Sequence, residues 1–239
     1  MSDGVDDWAS FWDQPHSIYV NARHFDVHYR DIANGIVAQL PGPNARVLDY
    51  GCGEATHADL VAAAAAELIL CEAAPSVRAK LTRRFADNRK IMVLAPEEVG
   101  RLPAASIDLL VANSLVQYIA PADLDPLLAI WRRLLAPEGV LIVADVVPPG
   151  VGVLTDTIAL LRYAAKNGFL LAAIIGVCRT IFSRYRKLRA KLGIACYGEA
   201  EFLAKLAAGG YAAERLPFNL EHNPARMTFR AWPARPAQS

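Results

Sequence analysis

The sequence has no excess of either charge, no close pair of cysteines and no apolar run long enough to cross a bilayer. Its 25 basic and 24 acidic residues leave a net charge of +1. That balance argues against a nucleic-acid partner, because gripping phosphates calls for a clear basic surplus. The four cysteines, Cys52, Cys71, Cys178 and Cys196, lie far apart and none sits in a C-x-x-C pair. Neither a cysteine-held zinc site nor a redox dithiol is expected, no metal site is expected at all, and the thiols suit a reducing compartment. The strongest apolar run, Phe169 to Cys178, is about half of what a membrane-spanning helix needs. The opening "MSDGVDDWASFWDQPHS" is acidic and aromatic, without the basic start and apolar centre of a secretory signal. A cytoplasmic protein is the expectation, and nothing in the totals specifies an oligomeric state.

What is present is apolar bulk in alternating order. Hydrophobic residues make up 54% of the 239, enough for one α/β domain with an elaboration. Residues 1–40 read as helical and hold many of the aromatic and histidine residues, and "PGPN" from Pro41 to Asn44 breaks the chain. From there strands ("RVLDY", "ELILCE", "KIMVLA", "SIDLLVANS", "GVLIVADVV") alternate with helices such as "PSVRAKLTRRFA", which has proline at its start, and "ADLDPLLAIWRRLLA". Short apolar runs between amphipathic helices predict a parallel sheet covered on both faces. The alternation stops at Pro148-Pro149-Gly150. Residues 153 to 193 read as two helices, followed by a helix at "GEAEFLAKLAAGG" and closing strands at "YAAERLPF" and "ARMTFRAW". The predicted fold is a doubly wound, seven-stranded, mostly parallel sheet with its last strand antiparallel. The predicted division is a helical lid at 1–40, a core at 41–150, an inserted helical cap at 151–196 and a closing helix and strands at 197–239.

The chemistry is concentrated at "RVLDYGCGEATHADL". Ligands of an open parallel sheet sit at the carboxyl ends of its strands, where Gly51 and Gly53 fall. Glycine lets the chain turn sharply and lets a ligand approach bare backbone. Glu72 ends the next strand about 20 residues on, a spacing that suits a carboxylate holding two ribose hydroxyls. Asp49 discriminates between cofactors. A carboxylate beside the loop repels a pyrophosphate but suits a ligand with a cationic group, such as the α-amino group of a methionine. The pattern thus points to S-adenosylmethionine rather than NAD.

With "VLDYGCGEA", "LILCEAAPSVRAKL", "IDLLVANSLVQYI" and "LLAPEGVLIVADVVPP", the chain resembles the class I S-adenosylmethionine-dependent methyltransferases, especially their small-molecule group. The match covers about residues 40–150, and "EAEFLAKLAAGGYAAERL" extends it. The resemblance implies that Asp49, Gly51 and Gly53 line the methionine side. It places Glu72 with Ala73 at the ribose and Asn113 with Ser114 beside the methionine moiety. Two positions depart from the pattern. Ala55 stands where glycine is frequent, and "LAPEEV" lacks the aspartate that often holds adenine, so backbone groups around Pro96 and Glu97 would have to serve. Gly51 and Gly53 as turn residues, Glu72 as a surface acid and Asn113 as a strand cap are the alternative readings. Asp108 reads as a backbone cap rather than a ligand contact.

Methyl transfer from a sulfonium is an in-line displacement that rests on positioning and gains from a dry pocket; a base matters for a hydroxyl or a protonated amine. Candidate bases and orienters are His24, Tyr118 and His222, with His28 beside them. By the resemblance, Tyr19, Arg23 and His24 would close a lid over the cofactor, with Arg23 pairing to the methionine carboxylate. The plainer alternative is that these residues fasten the N-terminal helix to the core. The apolar "GFLLAAIIGVC" runs into Arg179, Arg184, Arg186, Lys187, Arg189 and Lys191. Such a segment docks on anionic membranes, or buries one face while its arginines meet solvent. A peripheral membrane contact through 169–191 therefore stays open. The expected activity is O- or N-methylation of a small or lipid-like acceptor by S-adenosylmethionine. A non-catalytic module that binds S-adenosylmethionine or a protein partner and an NAD-dependent oxidoreductase are the alternatives.

Overall fold

In the computed structural model, residue 13, residues 19–180 and residues 193–234 are described. Seven strands form one sheet in the order β3-β2-β1-β4-β5-β7-β6. They are β1 (Arg46–Tyr50), β2 (Glu67–Cys71), β3 (Ile91–Leu94), β4 (Ile107–Asn113), β5 (Leu135–Val146), β6 (Tyr211–Arg215) and β7 (Met227–Pro233). The first five run parallel, and β7 is antiparallel to both β5 and β6. The central strands β1 and β4 are buried on both faces, which explains why they read as continuous apolar runs rather than alternating ones.

Helices cover both faces. On one side lie α1 (Ala22–Val37), α2 (Ala58–Ala64) and α3 (Pro75–Arg84), which bury Ala33, Ile36, Val61, Val77 and Leu81 against Val47, Leu68, Leu109 and Ile142. On the other lie α4 (Pro96–Val99), α5 (Pro121–Leu134) and α8 (Glu199–Ala208), with Trp131, Leu128, Phe202 and Leu206 packed on Leu48, Ile69, Leu110 and Phe229. Asn21 caps α1 by accepting the His24 amide at 2.8 Å, and Pro75 opens α3 where its missing N–H costs nothing. One boundary differs from the sequence reading. The helix expected to run to Ala136 ends at Leu134, and β5 starts at once, with Leu135 in register with Ile107. Pro137 cannot continue a helix, and a side chain at Gly139 would stand 2.8 Å from the Ile107 carbonyl, so strand contact is imposed there.

Between β5 and α8 come α6 (Val153–Asn167) and α7 (Leu170–Thr180). With α1 they share a small core of Val27, Ala164, Phe169 and Ala173. No described helix is long and apolar enough to cross a membrane. The basic positions from Arg184 to Lys191 lie outside the described residues, as does the side chain of Arg179.

Candidate functional site

The sheet reverses its winding between β1 and β4, and the loops after these two strands flank that switch point. After β1, Gly51 and Gly53 adopt φ of +81° and +58°. A Cβ on Gly53 would stand 2.7 Å from the Tyr29 hydroxyl, so the close approach and the left-handed backbone both require glycine there. Ala55 also has positive φ, +38°, and takes the strained conformation that glycine would take freely.

Two carboxylates stand behind this loop. Glu72 accepts the Gly53 amide at 3.0 Å and the Ala74 amide at 2.8 Å, one on each oxygen. It therefore ties the loop to the end of β2 and keeps a second lone pair per oxygen for hydroxyl donors. Burial pushes its carboxyl above the usual range, against the pull of those amides. Asp49 differs. It is buried, and among the described residues no hydrogen-bond donor or cation pairs with it. Burial, with the charge of Glu72 beside it, pushes its pKa up to about 7.

Helix α1 closes the loop from outside. Tyr29 accepts the Glu54 amide at 3.0 Å and the Tyr19 hydroxyl at 3.2 Å, so Tyr19 reaches the loop through Tyr29. Sequence reasoning named Tyr19 and missed Tyr29. Two further residues of α1 differ in placement, one facing outward and one packed beside His28, Tyr163 and His222. Arg23 is exposed and donates to the carbonyl of Asn167 at 3.1 Å, at the end of α6, because it falls on the outer face of α1. His24 is buried, stacks on Phe169 at 4.9 Å and accepts the Val20 amide at 3.3 Å. Burial, aided by the charges of His28 and His222, lowers its pKa to about 4, too low for an effective base near neutrality. Ala73 is exposed, and its carbonyl takes Arg78 at 2.5 Å. Pro96 and Glu97 open α4 after β3, with the Glu97 side chain exposed. Asp108 accepts the Arg46 amide at 2.8 Å and so caps backbone.

After β4 the side chains turn toward a partner that sequence reasoning did not find. Asn113 donates to Glu221 at 2.9 Å, and Ser114, at φ +51°, donates to Asp145 at 2.9 Å. The Glu221 side chain is 6% exposed. Burial alone would raise its carboxyl, but the charges of His28 and His222 and the Asn113 bond hold it well below the usual range. His28 Nδ1 lies 3.4 Å and His222 Nδ1 3.6 Å from its Oε2. His222 stacks on Tyr163 at 4.9 Å, and Tyr163 donates to Asp31 at 2.7 Å. His28, Asp31, Tyr163, Glu221 and His222 border a cavity of about 630 Å³ between α1, α6 and the 220–225 loop, with Arg162 and Lys166 at its rim. Tyr118, half-buried on the short helix after β4, lies near enough to Tyr19 to raise its hydroxyl pKa. The loop that carries Glu221 is held by a buried network. Arg226 donates to Asp145 at 2.5 Å and to Asp156 at 2.9 Å, and Asn219 bonds both the amide and the carboxylate of Asp145.

A doubly wound sheet of this order, with an acidic glycine loop at its switch point and a carboxylate ending the next strand, has the architecture of a Rossmann-like methyltransferase. Residues 48–143 match the family model for a methyltransferase domain. Over that stretch the protein is similar to methyltransferase domains. No curated protein matches it. Among solved structures, a DhpI–SAH complex aligns over 99% of this chain and 100% of its own, at TM-score 0.63 and 15% identity. A SAM-dependent methyltransferase from Leishmania major aligns over 96% and 82%, at 0.61 and 12%. Magnesium protoporphyrin IX methyltransferase from Synechocystis PCC 6803, with bound SAH, aligns over 98% and 95%, at 0.58 and 14%. At such identities the likeness concerns the fold.

Proposed function

We propose that the protein transfers a methyl group from S-adenosylmethionine to an oxygen or nitrogen of a small or lipid-like organic acceptor in the cytoplasm. The observation that carries this reading is Asp49: a buried carboxylate with no protein partner among the described residues, set against a glycine loop. A cationic amino-acid head supplies the missing partner, whereas a pyrophosphate adds repulsion. Asp49, Gly51 and Gly53 then hold the methionine end, Glu72 with Ala73 the ribose, and backbone near Pro96 and Glu97 the adenine. When bound, the sulfonium supplies an electrophilic methyl; the chain's part is to orient the two reactants and keep water out.

The acceptor is assigned to the cavity beyond Glu221, whose volume suits a small molecule. Glu221 supports this, because it borders the cavity and bonds Asn113 at the end of β4, so one carboxylate joins the two halves. His222 and Tyr118 are the residues assigned to orient the acceptor. Residues 1–40 act as a lid and 151–196 as a cap on the core of 41–150 and 197–239. The exposed apolar side chains of Leu154, Leu171, Ile174 and Ile175 favour a lipid-like acceptor or a membrane surface near the cap. Calorimetric titration with S-adenosylhomocysteine tests the first half: one site per chain with micromolar affinity is expected, and no binding at high protein concentration refutes the reading. Release of S-adenosylhomocysteine on incubation with acceptor mixtures separates an enzyme from a binding module.

A further inference from the structure

The cluster of His28, Glu221 and His222 has a spacing looser than a direct imidazole–carboxylate hydrogen bond. A charge-assisted bond between imidazole and carboxylate closes to about 2.7–2.9 Å. Here two imidazole nitrogens stop at 3.4 and 3.6 Å from one carboxylate oxygen, although all three side chains are held in place. His222 Nδ1 is buried with no hydrogen-bond partner among the described residues. Two donors that share an ion at about 2.0–2.1 Å stand roughly 3.4 Å apart when the angle between them is near tetrahedral. One donor atom from each of the three residues lies within 4.8 Å of the other two, so the three reach a common centre once an imidazole turns toward the others.

The surroundings suit a metal ligand set. Glu221 Oε1 accepts Asn113 at 2.9 Å, with the Ser114 hydroxyl 3.4 Å away, which fixes the carboxylate and turns Oε2 toward the imidazoles. The ring of His222 is oriented by its stack on Tyr163. The cavity borders all three residues and leaves room for ligands that the protein does not supply. Two imidazoles and one carboxylate favour a first-row transition ion over magnesium or calcium, which prefer all-oxygen shells. We propose that His28, Glu221 and His222 bind one divalent first-row transition-metal ion, whose open positions take an oxygen of the methyl acceptor. The acceptor part rests on the methyltransferase reading; the ion site does not. In that reaction the ion binds the acceptor hydroxyl and its proton leaves to solvent. The oxygen then forms the new O–C bond as the C–S bond breaks, and the C–S electron pair stays on sulfur.

The test uses the full-length protein after chelator treatment, titrated with Zn²⁺ in a calorimeter and with Co²⁺ by visible absorption, alongside S-adenosylhomocysteine. One equivalent of metal per chain is expected, with cobalt ligand-field bands and no thiolate charge-transfer band. Glu221→Gln and the double variant His28→Gln/His222→Gln should each weaken metal binding at least 100-fold, with S-adenosylhomocysteine affinity held within about 3-fold. The cavity-rim variant Lys166→Gln, which keeps all three ligands, should bind metal like the parent. Absence of stoichiometric metal, undiminished binding in both ligand variants, or a thiolate band from the four cysteines overturns the site. Metal binding without S-adenosylhomocysteine binding keeps the ion site and removes the methyltransferase reading. S-adenosylhomocysteine binding without metal does the reverse.

Discussion

Replacing Asp49 with asparagine should stabilise the ligand-free protein and weaken cofactor binding in one step. Burial and the neighbouring Glu72 move this carboxyl from the ordinary 3.8 to about 7. The folded state therefore binds the proton more tightly than the unfolded chain, and stability falls as pH rises from about 4 to about 7. At 1.36 kcal/mol per pK unit, about 4 kcal/mol is lost by pH 7.5. Asparagine removes the charge but still buries an amide, at a cost of about 1–3 kcal/mol. The net gain is about 1–3 kcal/mol, or a rise in Tm of roughly 3–9 °C for a domain of this size. The gain should shrink as pH is lowered, vanish between about pH 4.5 and 6 and turn into a loss below that, because the amide's cost does not titrate. Binding moves the other way. An ammonium paired to Asp49 requires the carboxylate, so the parent's affinity for S-adenosylhomocysteine should fall about fivefold from pH 7 to 6 and approach tenfold per unit below it. The asparagine variant should bind roughly 10–100-fold more weakly at pH 7.5, from loss of a charge-assisted bond of about 1.5–3 kcal/mol, and show no such pH dependence. Scanning calorimetry and titration calorimetry between pH 4.5 and 7.5 read both effects. A variant that melts lower than the parent at pH 7.5 and binds as tightly would refute the reasoning at both ends.

Three further outcomes follow from the geometry. Gly53→Ala forces a left-handed alanine and places its Cβ 2.7 Å from the Tyr29 hydroxyl; Tyr29→Phe orphans the Glu54 amide. Each should cost about 1–3 kcal/mol by urea denaturation, and the double variant less than their sum by at least ~0.5 kcal/mol, since the phenyl ring makes room; strict additivity would remove the contact. Arg226→Met takes the cation from buried Asp145 and from partly exposed Asp156; about 3–5 kcal/mol of stability should go, seen as a Tm lower by on the order of 10 °C, and a loss under 1 kcal/mol would count against the network. Arg23→Ala, on the exposed face of α1, should leave S-adenosylhomocysteine affinity within 2-fold; a 10-fold loss would restore the carboxylate clamp that the sequence suggested.

The glycine loop and the carboxylate behind it were legible because they are local. Asp49, Gly51, Gly53 and Glu72 lie within one strand–loop–helix–strand unit, and the strand periods together with two glycines give their positions. The cluster around Glu221 depends on contacts that no local pattern encodes. Glu221 meets Asn113 across 108 residues of sequence, and "NLEHNP" reads as a turn from its composition. A weak signal did exist, since His24 and His28 stand at i and i+4 and must share a helix face. The pattern could not say which histidine would be buried against Phe169 and which would face a carboxylate. Arg23 raises the same difficulty: an aromatic-rich helix shows its period, not the side that meets the core.

The two halves are also held by different forces. Backbone holds the glycine loop: the Gly53 amide on Glu72, the Glu54 amide on Tyr29, and positive φ angles that few residues tolerate. Side-chain charge holds the loop of Glu221 and His222, through Arg226 between Asp145 and Asp156 at an irregularity of β5, where Asp145 itself has φ +64°. A buried ion network of this kind adds little net stability but defines position, because an arrangement with one charge unpaired is strongly penalised. Glu221 and His222 thus gain a fixed placement without lying on a strand or helix. The same economy lets the acceptor side be rebuilt by a few side chains while the cofactor side stays as its backbone dictates. It also explains why the fold alone, shared at 12–15% identity with several methyltransferases, does not specify the acceptor.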